Sequence, residues 1–290
     1  MTALAIHPGA LGDVLLAIPA LRALRAGGAP LTLAAQSRIA ALIAALGEVD
    51  AAQDFDALRL DALFAGEDGA HLPAVDRLVC WFGARDPDFA RRLSALVPGA
   101  VVAPSISNDR DVWAHLLATV GGRAQRQPAS VGEGLIARGR AALIAAGVAP
   151  SQRVVIVHPG AGSPAKCWPA DSFAGALEGL GDVAVVVHEG PADAEPVARL
   201  LARVSSARRL HQPDLITLAG ALARCAAYIG NDSGVGHLAA TVGARSLMLF
   251  AEANRRWRPW SITARIVPVG MEGAMEDVAR VRETLQAMLG

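Results

Sequence analysis

A carboxylate near the start of the chain, Asp13, follows a glycine-rich stretch and stands where a helix is predicted to begin. The segment runs from Pro8 to Leu21, and Gly12 immediately precedes Asp13. Such a carboxylate can accept the proton of an attacking hydroxyl, and general-base catalysis contributes about 10²- to 10⁴-fold in rate. Asp13 could instead cap the helix and favour its dipole. Taken alone, the segment leaves both interpretations open.

A second glycine-rich segment, His158–Pro169, contains a lysine that could bind phosphate. Gly160 and the residues up to Ser163 give a backbone that can approach a ligand closely. Lys166 follows and could neutralise a pyrophosphate, or it could be a solvated surface lysine. We expect Trp168, which precedes a helix-starting proline, to pack in a core rather than stack on a base.

A third segment, Tyr228–Ala240, reads as strand, small polar loop and helix. Free backbone donors and the positive end of the helix make such a turn an anion site, so Ser233 and Gly234 are candidates for holding a diphosphate. Asp232 could bond a ribose or sugar hydroxyl, or could simply shape the turn. His237 is either a ligand of the same site or a structural histidine.

The chain lacks the patterns of several other chemistries. The dinucleotide fingerprint G-x-G-x-x-G, the P-loop and the G-x-S-x-G nucleophile elbow are absent. The histidines and carboxylates lack metal-ligand spacing, and the cysteines are scattered. We therefore expect no cofactor, no metal and no disulfide.

Short apolar runs alternate with Ala/Leu-rich helical stretches, which predicts an α/β fold with parallel sheets. The first half contains four predicted strands, near residues 4–7, 31–35, 77–81 and 100–103. The second half contains four more, near residues 154–158, 183–188, 226–230 and 246–250. A Gly and Pro stretch at 145–151 reads as a hinge, so we expect domains at residues 1–149 and 150–290.

The candidate segments follow predicted strands. Ligands of open parallel sheets bind outside the carboxyl ends of the strands, so two such domains facing across a cleft would bring these loops together. The sequence also repeats itself: His-Pro-Gly-Ala follows the first strand of each half, at His7–Ala10 and at His158–Ala161. This echo favours a common architecture for the halves.

Composition limits the class of protein. Hydrophobic residues make up 53% of the 290, which is enough to bury two cores. Lys plus Arg equals Asp plus Glu at 27 each, which argues against nucleic acid as a partner. Because no leader or transmembrane stretch is apparent, we expect a cytoplasmic protein without a membrane span. Peripheral contact with a membrane stays open.

The three segments together resemble the heptosyltransferase family, glycosyltransferase family nine. The family pattern is a small-x-Gly-Asp loop, a central His-x-Gly followed by Lys-x-Trp-Pro, and a late Asn-Asp-Ser-Gly-x-x-His-x-Ala-Ala. All three occur here in order. The resemblance implies the GT-B fold, in which two Rossmann-like, doubly wound domains face each other across a cleft. The N-terminal domain would bind the acceptor, and the C-terminal domain the nucleotide sugar.

The resemblance also implies roles. It implies inverting, metal-independent transfer of a sugar from a nucleotide-diphosphate donor, with an ADP-sugar favoured, to a glycan or glycolipid acceptor such as lipopolysaccharide core. Asp13 would be the base, and the diphosphate would leave toward Lys166, Ser233 and Gly234. A lesser match beginning at Glu189 places that residue on the donor side. Gly160, Ser163, Asp232 and His237 complete the implied donor site.

Some stretches depart from the family. The chain has Ala251-Glu252-Ala253 where the family continues Gly-Pro-Thr or Gly-Pro-Ser, and His7-Pro8 where it often has a basic and a small polar residue. Arg255 and Arg258, together with two tryptophans in the segment 255–260, could meet phosphates or an acidic acceptor alongside Gly12. The same cluster could serve packing alone.

Two other functions fit the same residues. A non-catalytic nucleotide-sugar-binding or scaffold protein would bind the donor without transferring the sugar. A nucleotide-sugar epimerase or hydrolase would turn over the donor without an acceptor.

Overall fold

The computed structural model describes all 290 residues. They divide into two compact units, Met1–Arg126 and Gln127–Gly290. Each unit contains one parallel β-sheet with helices between its strands, which confirms the α/β class expected from the sequence. No helix is long and apolar enough to cross a bilayer.

The first unit has a five-stranded sheet. Its strands are β1 (Ala3–Ile6), β2 (Leu31–Ala35), β3 (Ala51–Asp54), β4 (Arg77–Cys80) and β5 (Val101–Val102). Its helices are α1 (Leu11–Leu16), α2 (Ile18–Arg25), α3 (Ser37–Ala45), α4 (Asp61–Ala65), α5 (Pro87–Leu96) and α6 (Val112–Val120). The order is β3-β2-β1-β4-β5. The strands after β1 are added first on one side of it and then, from β4 onward, on the other side, so the switch point lies between β1 and β4. Ligands of open parallel sheets bind at such a switch point.

The second unit has a six-stranded sheet. Its strands are β6 (Arg153–His158), β7 (Val183–Glu189), β8 (Arg208–His211), β9 (Ala227–Asn231), β10 (Ser246–Phe250) and β11 (Ala264–Pro268). Its helices are α7 (Glu133–Ala145), α8 (Ala170–Ala176), α9 (Ala194–Arg203), α10 (Leu215–Arg224), α11 (Gly234–Thr241) and α12 (Met275–Leu289). The order is β11-β10-β9-β6-β7-β8, so the switch point lies between β6 and β9.

The central strands are apolar along their length because helices cover both faces of a parallel sheet. In β6, every residue from Val154 to His158 is buried. The strands that the sequence pattern missed, β3, β8 and β11, all lie at sheet edges. An edge strand is only partly buried and need not be apolar: in β8 only Leu210 is buried.

The division between the units falls between Arg126 and Gln127, earlier than the expected boundary near residue 150. The reason is α7, which packs closely against α10. A Cβ added at Gly139 would lie 2.0 Å from the backbone nitrogen of Ala221, and one at Gly220 would lie 1.8 Å from the carbonyl oxygen of Leu135. The expected hinge at 145–151 therefore lies inside the second unit.

Candidate functional site

Three ionisable side chains meet at the switch point of the second unit. Lys166 Nζ lies 2.8 Å from Asp232 Oδ2, and His237 Nε2 lies 3.8 Å from Asp232 Oδ1. Asp232 and His237 are buried, while the Lys166 side chain is 36% exposed. Burial pulls the pKa of Asp232 upward, but His237 and Lys166 outweigh it and lower that pKa. Asp232 is therefore a carboxylate at neutral pH, and it holds a lysine that can still reach a ligand.

Lys166 is the only lysine among the 27 basic residues of the chain. Every other basic side chain is an arginine, whose planar guanidinium differs in shape from a compact ammonium. An ammonium acts as a point charge for phosphate. The single lysine of the chain therefore differs in shape from every other basic side chain, and it lies against the buried Asp232.

Asn231, at the end of β9, fixes the loop that carries Lys166. Its side-chain nitrogen donates to the carbonyl oxygen of Pro159 at 2.8 Å, and its side-chain oxygen accepts the Trp168 N–H at 3.1 Å. Asn231 is fully buried. Asn231 belongs to the third sequence motif, but the sequence alone indicated no role for it. Trp168 packs edge-on against Phe173 with 5.2 Å between ring centroids, as expected for a core residue.

The amino end of α11 lies beside this cluster in the sequence. Ser233 caps the helix, and its Oγ accepts the Gly236 N–H at 3.3 Å. Gly234 is the first helical residue. Backbone N–H groups in the first turn of a helix have no acceptor within the helix, and the dipole favours an anion there. Ser233 and Gly234 thus stand at a helix start of the kind that can bind an anion, as the sequence predicts for this loop.

Gly160 and Ser163 belong to the loop that carries Lys166. Ser163 precedes a short 3₁₀ helix that contains Lys166, and its carbonyl oxygen accepts the Lys166 N–H at 3.1 Å. Ser163 also borders a pocket of about 490 Å³ between this loop and the start of α9. Gly160 approaches Asp193, a residue for which the sequence alone predicted no role.

Glu189 has a separate set of partners. Its buried carboxylate ends β7, where Oε1 lies 3.1 Å from His211 Nδ1 and Oε2 lies 3.4 Å from Arg209 Nε. None of these contacts is with Lys166 or Asp232, so the structure does not join Glu189 to the lysine cluster through a polar contact.

In the first unit, Asp13 is the third residue of α1 and is partly buried. Its Oδ2 accepts the Ala10 N–H at 3.1 Å, so it does cap its own helix. The other carboxylate oxygen makes no hydrogen bond. Gly12 precedes it in the same turn, also partly buried. Capping and general-base roles are compatible here.

His7 lies next to this loop. Its Nδ1 accepts the Gly9 N–H at 3.2 Å, and its ring is 5.8 Å from that of Trp81. Burial lowers the pKa of His7 to about 4, against the opposing effect of the Asp13 charge. Neutral His7 therefore carries its proton on Nε2, which is buried without a hydrogen-bond partner.

The arginine-rich segment follows β10. Ala251 precedes a 3₁₀ helix, Glu252–Trp257, and Arg255 Nη1 pairs with Glu252 Oε1 at 2.8 Å. Arg258 follows this helix and is exposed. The carboxylate of Glu252 therefore partly neutralises the positive charge that Arg255 was expected to offer to a phosphate.

The fold defines the class of protein: a two-unit, doubly wound α/β protein whose second unit groups Lys166, Asp232 and His237 beside the start of a helix. The fold is shared with solved structures, among them the following three. A glycosyl transferase family 9 protein from Veillonella parvula DSM 2008 gives a TM-score of 0.80 at 18% identity, covering 99% of this chain and 97% of the other. The ADP-heptose lps heptosyltransferase II of E. coli gives 0.77 at 20% identity, covering 100% and 98%. The E. coli heptosyltransferase WaaC with ADP gives 0.71 at 14% identity, covering 99% and 100%.

The family model "Glycosyltransferase family 9 (heptosyltransferase)" matches residues 115–287, which is more than half of the chain. The chain belongs to glycosyltransferase family 9 and is a glycosyltransferase with a GT-B type of fold. Comparison with curated protein sequences found no significant match. The family resemblance drawn from the three sequence segments is confirmed.

Proposed function

We propose that this glycosyltransferase transfers a sugar, with a heptose as first candidate, from an ADP-sugar to a hydroxyl of a glycan or glycolipid acceptor. The transfer inverts the anomeric centre and uses no metal ion. One similar structure is an ADP-heptose lps heptosyltransferase, and another is a heptosyltransferase with ADP. These similarities favour an ADP-sugar donor and a lipopolysaccharide acceptor. Action on such an acceptor fits a cytoplasmic protein that touches the membrane surface peripherally.

The observation that carries the proposal is the Lys166–Asp232 pair beside the amino end of α11, in a chain of this family. The acceptor oxygen attacks the anomeric carbon, and its bond forms as the bond from that carbon to the diphosphate breaks. The departing oxygen takes the electron pair. Lys166 and the N–H groups beginning at Gly234 stabilise its charge, because donors placed in advance act without reorganisation.

Asp13 accepts the proton of the acceptor hydroxyl in this scheme. Its unbonded carboxylate oxygen supports that role, since one oxygen is occupied by Ala10 and the other is available. Asp232 holds the lysine, and His237 steadies Asp232 from the other side. Gly160, Ser163 and Glu189 are assigned to the donor, whereas Gly12, Arg255 and Arg258 are assigned to acceptor or phosphate contacts.

The single lysine makes the donor site directly testable. EDTA-treated protein is titrated with ADP, UDP, GDP, CDP and dTDP in a calorimeter, and is then treated with trinitrobenzenesulfonate with and without each diphosphate. We expect ADP to bind and to slow modification of Lys166, while the amino-terminal amine, an internal control, reacts at an unchanged rate. Binding without protection of Lys166 would contradict the site, and binding that requires added Mg²⁺ would contradict metal independence.

A further inference from the structure

A second carboxylate, Asp193, lies between the glycine turns that follow β6 and β7. Its side chain is only 13% exposed, and its Oδ2 accepts the Gly190 N–H at 3.0 Å. A Cβ added at Gly160 would lie 2.0 Å from Asp193 Oδ1, and one at Gly190 would lie 2.6 Å from Oδ2. The carboxylate therefore fills the space that side chains would occupy in both turns.

Two buried histidines extend this contact into the sheet. His158 Nε2 lies 3.9 Å from Asp193 Oδ2, and His158 Nδ1 lies 3.1 Å from His188 Nδ1. Burial lowers the pKa of both histidines, so the pair is neutral and one ring donates to the other. Asp193 thus lies near His158, the last residue of β6, which in turn contacts His188 of β7.

The loop from Pro159 to Trp168 is consequently held on two sides. Asn231 binds both of its ends from β9, and Asp193 contacts Gly160 from the β7 side. Lys166 lies within this loop and reaches Asp232. A shift at Gly160 would move the backbone that leads to Lys166.

We propose that Asp193 is a positioning residue for the donor: it sets the turn at Gly160 so that Lys166 faces the diphosphate. This inference rests on the proposed function, because it takes Lys166 to bind the donor. Asp193 acts through the loop that carries Lys166.

A double-mutant cycle tests the contact, with ADP affinity as the readout. Gly160→Ala alone should weaken ADP binding about tenfold, because small displacements of positioning groups are costly. In the Asp193→Ala background the carboxylate is absent, so the added methyl should cost less than about twofold. Equal costs in both backgrounds would overturn the proposal.

Two further variants separate positioning from general destabilisation. Asp193→Asn keeps an acceptor for the Gly190 N–H and should bind ADP more tightly than Asp193→Ala. Asp171→Asn, which removes an exposed carboxylate at the start of α8, should change nothing. In sugar transfer, Asp193→Ala should raise the KM for the donor more than it lowers kcat. A lowered kcat with an unchanged KM would assign Asp193 to chemistry instead.

Amide hydrogen exchange of the free protein distinguishes failure of this inference from failure of the proposed function. Asp193→Ala should speed exchange in residues 160–167 and leave β10 unchanged. Faster exchange in a protein whose wild type binds no diphosphate would refute the donor site while retaining the loop contact. Unchanged exchange and unchanged ADP affinity would refute the role of Asp193.

Discussion

The loops after β1 and after β6 begin with the same four residues, His-Pro-Gly-Ala, and each follows a strand at the switch point of its sheet. Their surroundings differ. In the first loop, the Gly9 N–H binds His7 and the Ala10 N–H binds Asp13, and Gln36 adds a long contact of 3.4 Å to the Gly9 carbonyl.

The second loop is held from far away in the sequence. Asn231 is 63 residues from Trp168 and 72 residues from Pro159 in the sequence, and it hydrogen-bonds to both. Lys166 and Asp232, which form an ion pair, are 66 residues apart. A site built from such contacts is fixed before the ligand arrives, which lowers the ordering cost of binding. We infer a division of roles, with binding in the second loop and proton transfer in the first, which keeps a carboxylate oxygen unoccupied.

The largest expected effect concerns Asp13. Asp13→Asn should lower sugar transfer by about 10²- to 10⁴-fold, the contribution of a general base, and should leave ADP affinity unchanged. Steady-state transfer and calorimetry measure the two quantities. Near-normal sugar transfer would show that Asp13 is not the general base. Loss of ADP binding would contradict the proposal that the first loop serves proton transfer and the second loop serves binding.

The matching change in the second loop is Lys166→Ala. It should weaken ADP binding by about 10- to 100-fold, since a charge-assisted hydrogen bond contributes about 1.5 to 3 kcal/mol. Lys166→Arg keeps the charge and should recover part of the affinity. Calorimetry measures both variants. Unchanged affinity in Lys166→Ala would place the diphosphate elsewhere.

Asn231 tests whether the second loop depends on distant contacts. Asn231→Ala leaves the Trp168 N–H and the Pro159 carbonyl without their partner, and should lower the free energy of unfolding by about 2 kcal/mol. Urea unfolding measures the loss. Asn108→Ala, at an exposed position of the first unit, serves as the control and should cost almost nothing.

His7 gives an effect of about the same size as Asn231, and this effect depends on pH. The pKa of His7 is about 4 in the folded protein, below its ordinary value of 6.5, which applies to the unfolded chain. At a pH between these two values, the unfolded chain binds a proton that the folded chain does not. Stability therefore falls as pH drops below 6.5. His7→Gln should reduce the loss between about pH 7.5 and pH 5 by about 2 kcal/mol. Urea unfolding followed by tryptophan fluorescence tests this, and an unchanged pH slope would contradict it.

Much of the fold was predictable because central strands carry a long apolar run. The sequence placed β6, β7, β9 and β10 within a residue or so at each end. It missed edge strands such as β8, where charged residues face solvent. The placement of α7 was also missed, because its packing on α10 depends on glycines that meet only in three dimensions.

Within the candidate site, the sequence selected some of the residues that the structure groups together, but not their partners. It selected Lys166, Asp232 and His237, which the structure brings together, and Glu189, which pairs instead with Arg209 and His211. Asn231 begins the Asn-Asp-Ser-Gly motif, but the sequence indicated no role for its side chain. Asp193 lies within the lesser match that begins at Glu189, but it was given no role, since a carboxylate at the start of a helix is common.

The sequence by itself determined which chemical groups follow which strands: a carboxylate after β1, a lone lysine after β6 and a Ser-Gly helix start after β9. These are local facts, set by neighbouring residues and by the period of apolar side chains. Only the tertiary structure decided that β9 lies beside β6. That strand order brings Asp232 and Asn231 to the lysine loop, because hydrogen bonds between distant segments follow from the pairing of whole strands.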